Sequence, residues 1–364
     1  MRTCITFILF FSFSAFANDQ LLKICLTGST EKAIPKYGEA FVNGAKLAIS
    51  ELKSNDRKRV LLSVNYYEST PLAPLTKLYE LQKNDCDAIV GFSTGNDLIS
   101  IESELRSSPV LTLSLYGDPQ DRFIKTNYLR TFQPSAKDLV SFLLKELPFK
   151  MKKESNVLFV TAIDRSEMIS YRSAYLDALK DKALITNVEI VEQTHDLRQL
   201  KEILENDKKW DYVVLLTRSL IAAEVSDLIY QKSNPIILGT KYFGSSDLPA
   251  FFDYLKNKNI NAFFSRQNCS CDQDKKYLRW SDNYKKNYGA APMSISLESY
   301  DAIKFILGSL GLTRLNKTSI LKYLNSEQLG YEGISSIKID RDFQISSTKR
   351  FLIKIDKNGY SEIK

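Results

Sequence analysis

The sequence predicts an α/β protein made of two parallel-sheet lobes, on three observations. Short β-rich runs alternate with helical segments through most of the chain, in two successive series. The strand runs are nearly all apolar, as strands read when helices cover both faces of their sheet. The 364 residues suffice for two cores at about 150 residues per domain.

In the first series, residues 23–26 form an apolar strand ending at Thr27-Gly28. A helix is predicted over 38–52, where Phe41, Ala45, Ala48, Ile49 and Leu52 recur at three and four and build one apolar face. Residues 59–67 alternate, with Val60, Leu62, Val64 and Tyr66 against Leu61, Ser63 and Asn65, and predict a strand. A helix over 72–83, a buried strand over 87–92, a helix over 97–106, a strand over 110–115 and a helix over 138–147 follow. The second series gives strands over 156–162, 188–193, 211–217, 235–238 and 261–265, separated by helices over 167–179, 197–206, 221–231 and 248–255. The last quarter breaks the rhythm, with helices over 275–288, 294–310 and 317–325. Residues 335–340 and 351–356 then read as two strands of a hairpin that ends at the turn signal Lys357-Asn358-Gly359. Ligands of parallel sheets sit at the carboxyl ends of strands near a switch in strand order, so function is sought in the loops after strands.

The N-terminus reads as a secretory signal rather than as fold. Arg2 supplies a positive end, residues 5–16 are almost entirely apolar, and Ala15-Phe16-Ala17 is a small-x-small cleavage site before polar Asn18-Asp19-Gln20. The expected mature chain starts near Asn18 and works in the periplasm or otherwise outside the cytoplasm. Cys4 precedes the apolar run. Cys25, Cys86, Cys269 and Cys271 remain, and an oxidising compartment permits disulfides among them. Cys269 and Cys271 are too close for an unstrained bridge in an extended strand but could close within a loop, so the pairing stays open.

The formal net charge is +7, spread along the chain with no block of five like charges, which reads as a solvated surface and not a nucleic-acid footprint. His195 is the one histidine, so no His-rich metal site is expected, and no cofactor or metal is implied. After the N-terminal segment there is no apolar run of about 20 residues, so no direct membrane insertion is expected.

Ordered stretches carry a family resemblance. Leu26-Thr27-Gly28 is followed by Tyr37-Gly38-Glu39-Ala40-Phe41-Val42-Asn43-Gly44-Ala45-Lys46-Leu47-Ala48, then by Ile89-Val90-Gly91-Phe92-Ser93-Thr94-Gly95. Later come Tyr284-Lys285-Lys286-Asn287-Tyr288-Gly289, Ser299-Tyr300-Asp301-Ala302, and Tyr331-Glu332-Gly333-Ile334 with Ile337-Lys338-Ile339-Asp340. In this order the set resembles the type I periplasmic binding proteins, specifically the branched-chain amino-acid receptor group typified by the leucine/isoleucine/valine-binding protein. The resemblance covers essentially the whole mature chain. It implies two doubly wound lobes joined by a three-crossover hinge, with a small ligand held in the cleft and a membrane permease of an ABC transporter as partner. Lobe 1 is expected over 18–132 plus 266–329 and lobe 2 over 133–265 plus 330–364, after a signal at 1–17. The crossovers are placed near 131–134, 263–267 and 329–333.

The resemblance also points to cleft residues. Ser93 and Thr94 follow the third strand, where a hydroxyl and free backbone N–H groups hold a ligand carboxylate in the family; either also serves as a plain helix cap. Ser114 and Tyr116 follow the fourth strand, and Tyr116 departs from the family's threonine. Tyr37 could wall the cleft or simply pack. In the second lobe Glu167-Met168 stands where the family often has Tyr-Gly. The loop after residue 238 holds Lys241 and Tyr242 but no acid to pair a ligand ammonium, and Arg218 follows the strand over 211–217. Arg218 and Lys241 favour an anionic ligand, while Glu167 could meet an ammonium group or pair with Lys241. The expected ligand is therefore a carboxylate-bearing small molecule rather than a branched-chain amino acid.

Rival readings exist. Gly91-Phe92-Ser93-Thr94-Gly95 also matches the G-x-S-x-G nucleophile elbow of serine hydrolases. That chemistry needs a histidine late in the chain, and none follows His195; no catalytic residue is assigned. The same fold could serve as the sensing partner of a membrane signalling protein, or carry a degenerate cleft. A neighbouring permease gene goes with transport, and a neighbouring kinase or cyclase gene with sensing.

Overall fold

The computed structural model describes residues 21–29, 35–68, 70–92, 95–115, 128–131, 134–162, 166–181, 185–193, 197–206, 208–217, 219–230, 234–240, 261–267, 275–310, 331–334, 337–339, 345–347, 350–356 and 359–363. The expected signal, His195, Cys269, Cys271 and the helices expected over 248–255 and 317–325 lie outside the described residues.

The first sheet contains β1 (Leu22–Ser29), β2 (Val60–Tyr67), β3 (Ala88–Val90), β4 (Leu111–Ser114) and β5 (Leu129–Thr131), in the order β2-β1-β3-β4-β5. Every neighbouring pair is parallel. β1 is an interior strand whose residues Ile24, Cys25, Leu26 and Thr27 are all buried, which accounts for its apolar stretch Ile24-Cys25-Leu26. β2 lies at the edge, where Leu61, Val64 and Tyr66 remain exposed and Tyr67 is buried, so its burial does not follow the alternation Val60, Leu62, Val64, Tyr66 read in the sequence. Between the strands run α1 (Pro35–Ser50), a short α2 (Ser54–Arg57), α3 (Ala73–Lys83) and α4 (Gly95–Ser107).

Two later helices complete this lobe: α9 (Lys275–Tyr288) and α10 (Ser294–Leu310). Trp280, Tyr284, Ile295, Ile303, Phe305 and Ile306 share one core with Ile24, Leu26, Phe41, Leu47 and Val90. Gly44 allows α1 and α10 to touch. A Cβ there would lie 2.0 Å from the Ser296 carbonyl oxygen and 2.3 Å from Ser299 Oγ. The approach lets Ser299 Oγ donate to the Phe41 carbonyl at 2.8 Å. On the other face of the sheet Cys25 and Cys86 form a disulfide with Cα atoms 5.9 Å apart, surrounded by Leu78, Leu81, Ile89 and Leu98.

The second sheet has seven strands in the order β15-β14-β10-β9-β8-β6-β7. They are β6 (Ser155–Ala162), β7 (Ile185–Gln193), β8 (Tyr212–Leu216), β9 (Ile236–Leu238), β10 (Ala262–Gln267), β14 (Arg350–Asp356) and β15 (Gly359–Ile363). Helices α5 (Ala136–Glu146), α6 (Ser166–Asp181), α7 (Arg198–Glu205) and α8 (Ser219–Tyr230) accompany it. Ser135 caps α5 by accepting from the Asp138 amide at 3.1 Å. The core joins Leu139, Leu143, Phe159, Tyr175, Trp210, Val214, Leu238, Phe264 and Ile353. A third, antiparallel sheet holds β11 (Tyr331–Glu332), β12 (Ile337–Ile339) and β13 (Ile345–Ser347).

Three expectations need correction. The second sheet is mixed, because β14 runs antiparallel to both β10 and β15. The strands near 335–340 and 351–356 do not pair with each other: β12 lies between β11 and β13, whereas β14 enters the seven-stranded sheet. The strand expected over 87–92 stops at Val90, because Gly91 has φ +151° and Phe92 has φ +60°, which turn the chain out of the ladder.

Candidate functional site

Both sheets carry one topology. β2-β1-β3-β4-β5 and β7-β6-β8-β9-β10 each place the second strand outside the first and the remaining three in succession on its other side. The order reverses between β1 and β3 in one lobe and between β6 and β8 in the other. Those switch points are where an open α/β sheet leaves a crevice beyond its strand ends. The helix that follows each switch-point strand starts there: α4 after β3, and α6 after β6. These two helices are in contact, which brings the two switch points toward a common face.

In the first lobe the tip is built by Thr27, Gly91, Phe92 and Ser114. A Cβ on Gly91 would lie 1.8 Å from the Thr27 carbonyl oxygen, so only glycine lets β3 turn this close to β1. The Gly91 amide donates to the Leu113 carbonyl at 2.9 Å. Ser114, wholly buried, donates from Oγ to the Phe92 carbonyl at 3.0 Å and ties the end of β4 to the bend after β3. Phe92 is wholly buried with its ring centroid 6.0 Å from Tyr67, whose hydroxyl donates to Asp97 Oδ2 at 2.8 Å in the first turn of α4. A carboxylate in that turn meets the positive end of the helix macrodipole.

The second lobe presents three buried threonines at successive strand ends: Thr161 on β6, Thr217 after β8 and Thr240 after β9. Thr27 and Thr161 are equivalent, each lying near the carboxyl end of the first strand of its lobe. Both hydroxyls are buried with no hydrogen-bond partner among the described residues. Glu167 sits in the first turn of α6 and is nearly covered, again at a positive helix end. One and two turns on, Tyr171 and Tyr175 are buried on the same helix. Tyr175 donates to the Gly239 carbonyl at 2.7 Å, bracing the loop after β9 against α6, and complete burial holds its phenol far above the usual value and therefore neutral.

Of the residues expected in the cleft, Ser114 closes β4, beside the switch-point strand β3, and Glu167 lies in the first turn of α6. Tyr37 falls in the first turn of α1. Its side chain, together with Ser93, Thr94, Tyr116, Arg218 and Lys241, lies outside the described residues. Thr27, Thr161 and the Tyr67–Asp97 pair went unread at the sequence level. The signal was present as a threonine at the same place in each lobe, in Leu26-Thr27-Gly28 and Val160-Thr161-Ala162. Among the described residues no group of His, Cys, Asp and Glu could hold a metal ion, and no helix is long and apolar enough to cross a membrane.

No protein-family model and no curated protein matches the chain by sequence. Solved structures match it over nearly its whole length. The branched-chain amino-acid transporter substrate-binding protein LivJ from Streptococcus pneumoniae, in complex with isoleucine, is 16% identical, has a TM-score of 0.76, and is matched over 94% of this chain and 99% of that one. A solute-binding protein of an ABC transporter from Rhodopseudomonas palustris, in complex with 3,4-dihydroxybenzoic acid, is 14% identical with a TM-score of 0.74 over 95% and 96% of the chains. A fatty acid ABC transporter substrate-binding protein from Thermomonospora curvata is 16% identical with a TM-score of 0.76 over 95% and 92%.

Proposed function

From that likeness and the doubled switch point, we propose that the chain is an extracytoplasmic, non-enzymatic solute-binding protein. It would capture a small carboxylate-bearing ligand between its lobes and deliver it to the permease of an ABC transporter. The observation that carries the reading is the repetition of one strand order in two sheets whose switch-point helices, α4 and α6, meet. A ligand between them touches both lobes, and that is the condition for binding energy to select a closed state. The three similar proteins are described with isoleucine, a dihydroxybenzoic acid and fatty acid respectively, and a carboxyl group is what those molecules share. Arg218 and Lys241, after the second-lobe strands, would face that carboxylate together with Ser93, Thr94 and Ser114. Tyr37, Tyr116 and Glu167 would shape the remainder of the cleft.

The proposed lobes are 18–132 with 266–329 and 133–265 with 330–364, hinged near 131–134, 263–267 and 329–333. A thermal-shift panel tests the function, with branched-chain amino acids in one arm and aromatic, aliphatic and dicarboxylic acids in the other. A ligand at 100 times its Kd stabilises by about 2.7 kcal/mol, which raises Tm by roughly 4 °C for a chain of this length. A shift confined to non-amino acids is the expected result. Micromolar leucine binding would overturn the ligand class, and silence across the panel would overturn solute capture itself.

A further inference from the structure

The long edge strands of the two large sheets, β2 and β7, are built differently. An edge strand offers a row of outward backbone N–H and C=O groups, and proteins blunt such rows with charge, proline or a bulge. β7 carries Glu189 and Glu192, and its ladder with β6 is interrupted by an extra residue, Thr186. β2 has none of these devices. Its residues, Val60-Leu61-Leu62-Ser63-Val64-Asn65-Tyr66-Tyr67, include no charge, proline or glycine. Its register with β1 runs from Leu22↔Val60 to Ser29↔Tyr67 without a shift. Leu61, Val64 and Tyr66 are exposed, and among the described residues β1 is the one strand paired with it.

The ladder also fixes which backbone groups are open. The Leu22 amide donates to the Arg59 carbonyl at 2.8 Å, so the backbone of Arg59 turns toward β1. Backbone direction alternates along a strand, so Leu61, Ser63, Asn65 and Tyr67 turn inward as well. Val60, Leu62, Val64 and Tyr66 therefore turn their N–H and C=O groups to the outside. The two ends of the segment differ in charge: Lys58 and Arg59 precede the strand and Glu68 follows it, with Lys58 and Glu68 exposed.

We infer that β2 is the contact through which a second copy of this chain binds, as an antiparallel strand pair on a two-fold axis. Such an axis stands perpendicular to the sheet and keeps its faces aligned, so residues opposite one another are both even or both odd in number. With Ser63 opposite its own copy, Val60 faces Tyr66 and Leu62 faces Val64 of the other copy. All four outward residues then exchange backbone hydrogen bonds, and every one of those pairs is apolar. The same register sets Lys58 beside Glu68 of the other copy, twice by symmetry. Parallel addition of the same strand would instead bring like ends together. The two small sheets become one continuous sheet, and the contact closes on itself rather than propagating.

Analytical ultracentrifugation of the protein starting at Asn18, from about 1 to about 200 µM, tests this. The wild type should pass from monomer to dimer over that range. Val64→Lys puts a cation into the pairing from an exposed position and should weaken dimerisation about tenfold or more. Glu68→Lys should weaken it about fivefold, and Lys58→Glu in the same chain should restore it, because each end again meets the opposite charge. Oxidation reads the register separately. With Cys269 and Cys271 replaced by Ser, Ser63→Cys should give a disulfide-linked dimer, since Cα atoms paired at such a site lie about 4.5 Å apart, within disulfide reach. Leu61→Cys should not, because it stands opposite Asn65 of the other copy. A chain that stays monomeric at the highest concentration overturns the inference. So does a dimer that Val64→Lys leaves intact, or a Leu61→Cys that cross-links as readily as Ser63→Cys. Unchanged melting temperatures show that the variants fold. Dimerisation and ligand capture are separable here: a dimer that binds no carboxylate would sink the proposed function and leave this contact standing.

Discussion

Removing the Cys25–Cys86 bridge should weaken one lobe and spare the other. The joined residues are 61 apart in sequence, and closing a loop of about 60 residues in the unfolded chain stabilises the fold by about 4 kcal/mol in the chain-entropy model. Both residues are wholly buried in the small-sheet lobe, so Cys25→Ala with Cys86→Ala also leaves a small cavity, costing about 1 kcal/mol more. The two tryptophans report the lobes separately: Trp280 packs in the small-sheet core and Trp210 in the large-sheet core. The double alanine variant is placed in Trp210→Phe and in Trp280→Phe backgrounds, and each is unfolded in urea by fluorescence. With a slope near 2 kcal/mol/M, the Trp280 midpoint should fall by about 2.5 M while the Trp210 midpoint holds within about 0.3 M. Equal movement of both midpoints would refute independent cores, and a Trp280 shift below about 0.5 M would refute the bridge as the principal constraint.

Gly44→Ala must push α10 away from α1, because the new methyl meets the Ser296 backbone, and denaturation should show a loss of about 1–3 kcal/mol confined to the Trp280 signal. Burial pushes the Tyr230 hydroxyl up to about 12, and it donates to the Pro235 carbonyl while accepting the Asn261 amide. The unfolded phenol ionises near 10, so stability should fall as pH rises from 10 to 12. In Tyr230→Phe the alkaline decline should flatten and neutral-pH stability should drop by about 1–3 kcal/mol, as followed by stability measurements across pH. Gly91→Ala places a Cβ against the Thr27 carbonyl at a φ of +151°, so it should impair folding or any solute binding far more than Gly289→Ala, which meets open space though its φ is also positive.

Strands with a distinctive environment were legible. β6 and β8 are covered on both faces and read as apolar runs, as does the buried stretch of β1 from Ile24 to Leu26, whereas β2, at the sheet edge, has a burial pattern its alternation did not foretell. Leu129–Thr131 was not, because three residues show no period and the strand exists through its pairing with β4. Strand direction in the second sheet was illegible for a related reason: the apolar pattern of β14 is the same whether it runs with or against β10. Four cysteines allow three pairings, and the choice needed the fact that β1 and β3 are neighbours, which sets Cys86 beside Cys25. The site was legible only as a rule about loops after strands. Its position depends on the order of strands in space, whereas the sequence records their order in time.

The interleaving of the chain has a consequence for synthesis. The small-sheet core draws on residues from Leu22 to Leu307, and the large-sheet core on residues from Ala136 to Ile355. As the ribosome works from the amino terminus, the first sheet waits for its two late helices, and the second waits for β14. A nascent chain therefore keeps apolar sheet faces uncovered until those later segments have emerged. Until then the uncovered faces are open to association with other chains, the hazard of any fold whose cores join distant parts of the sequence.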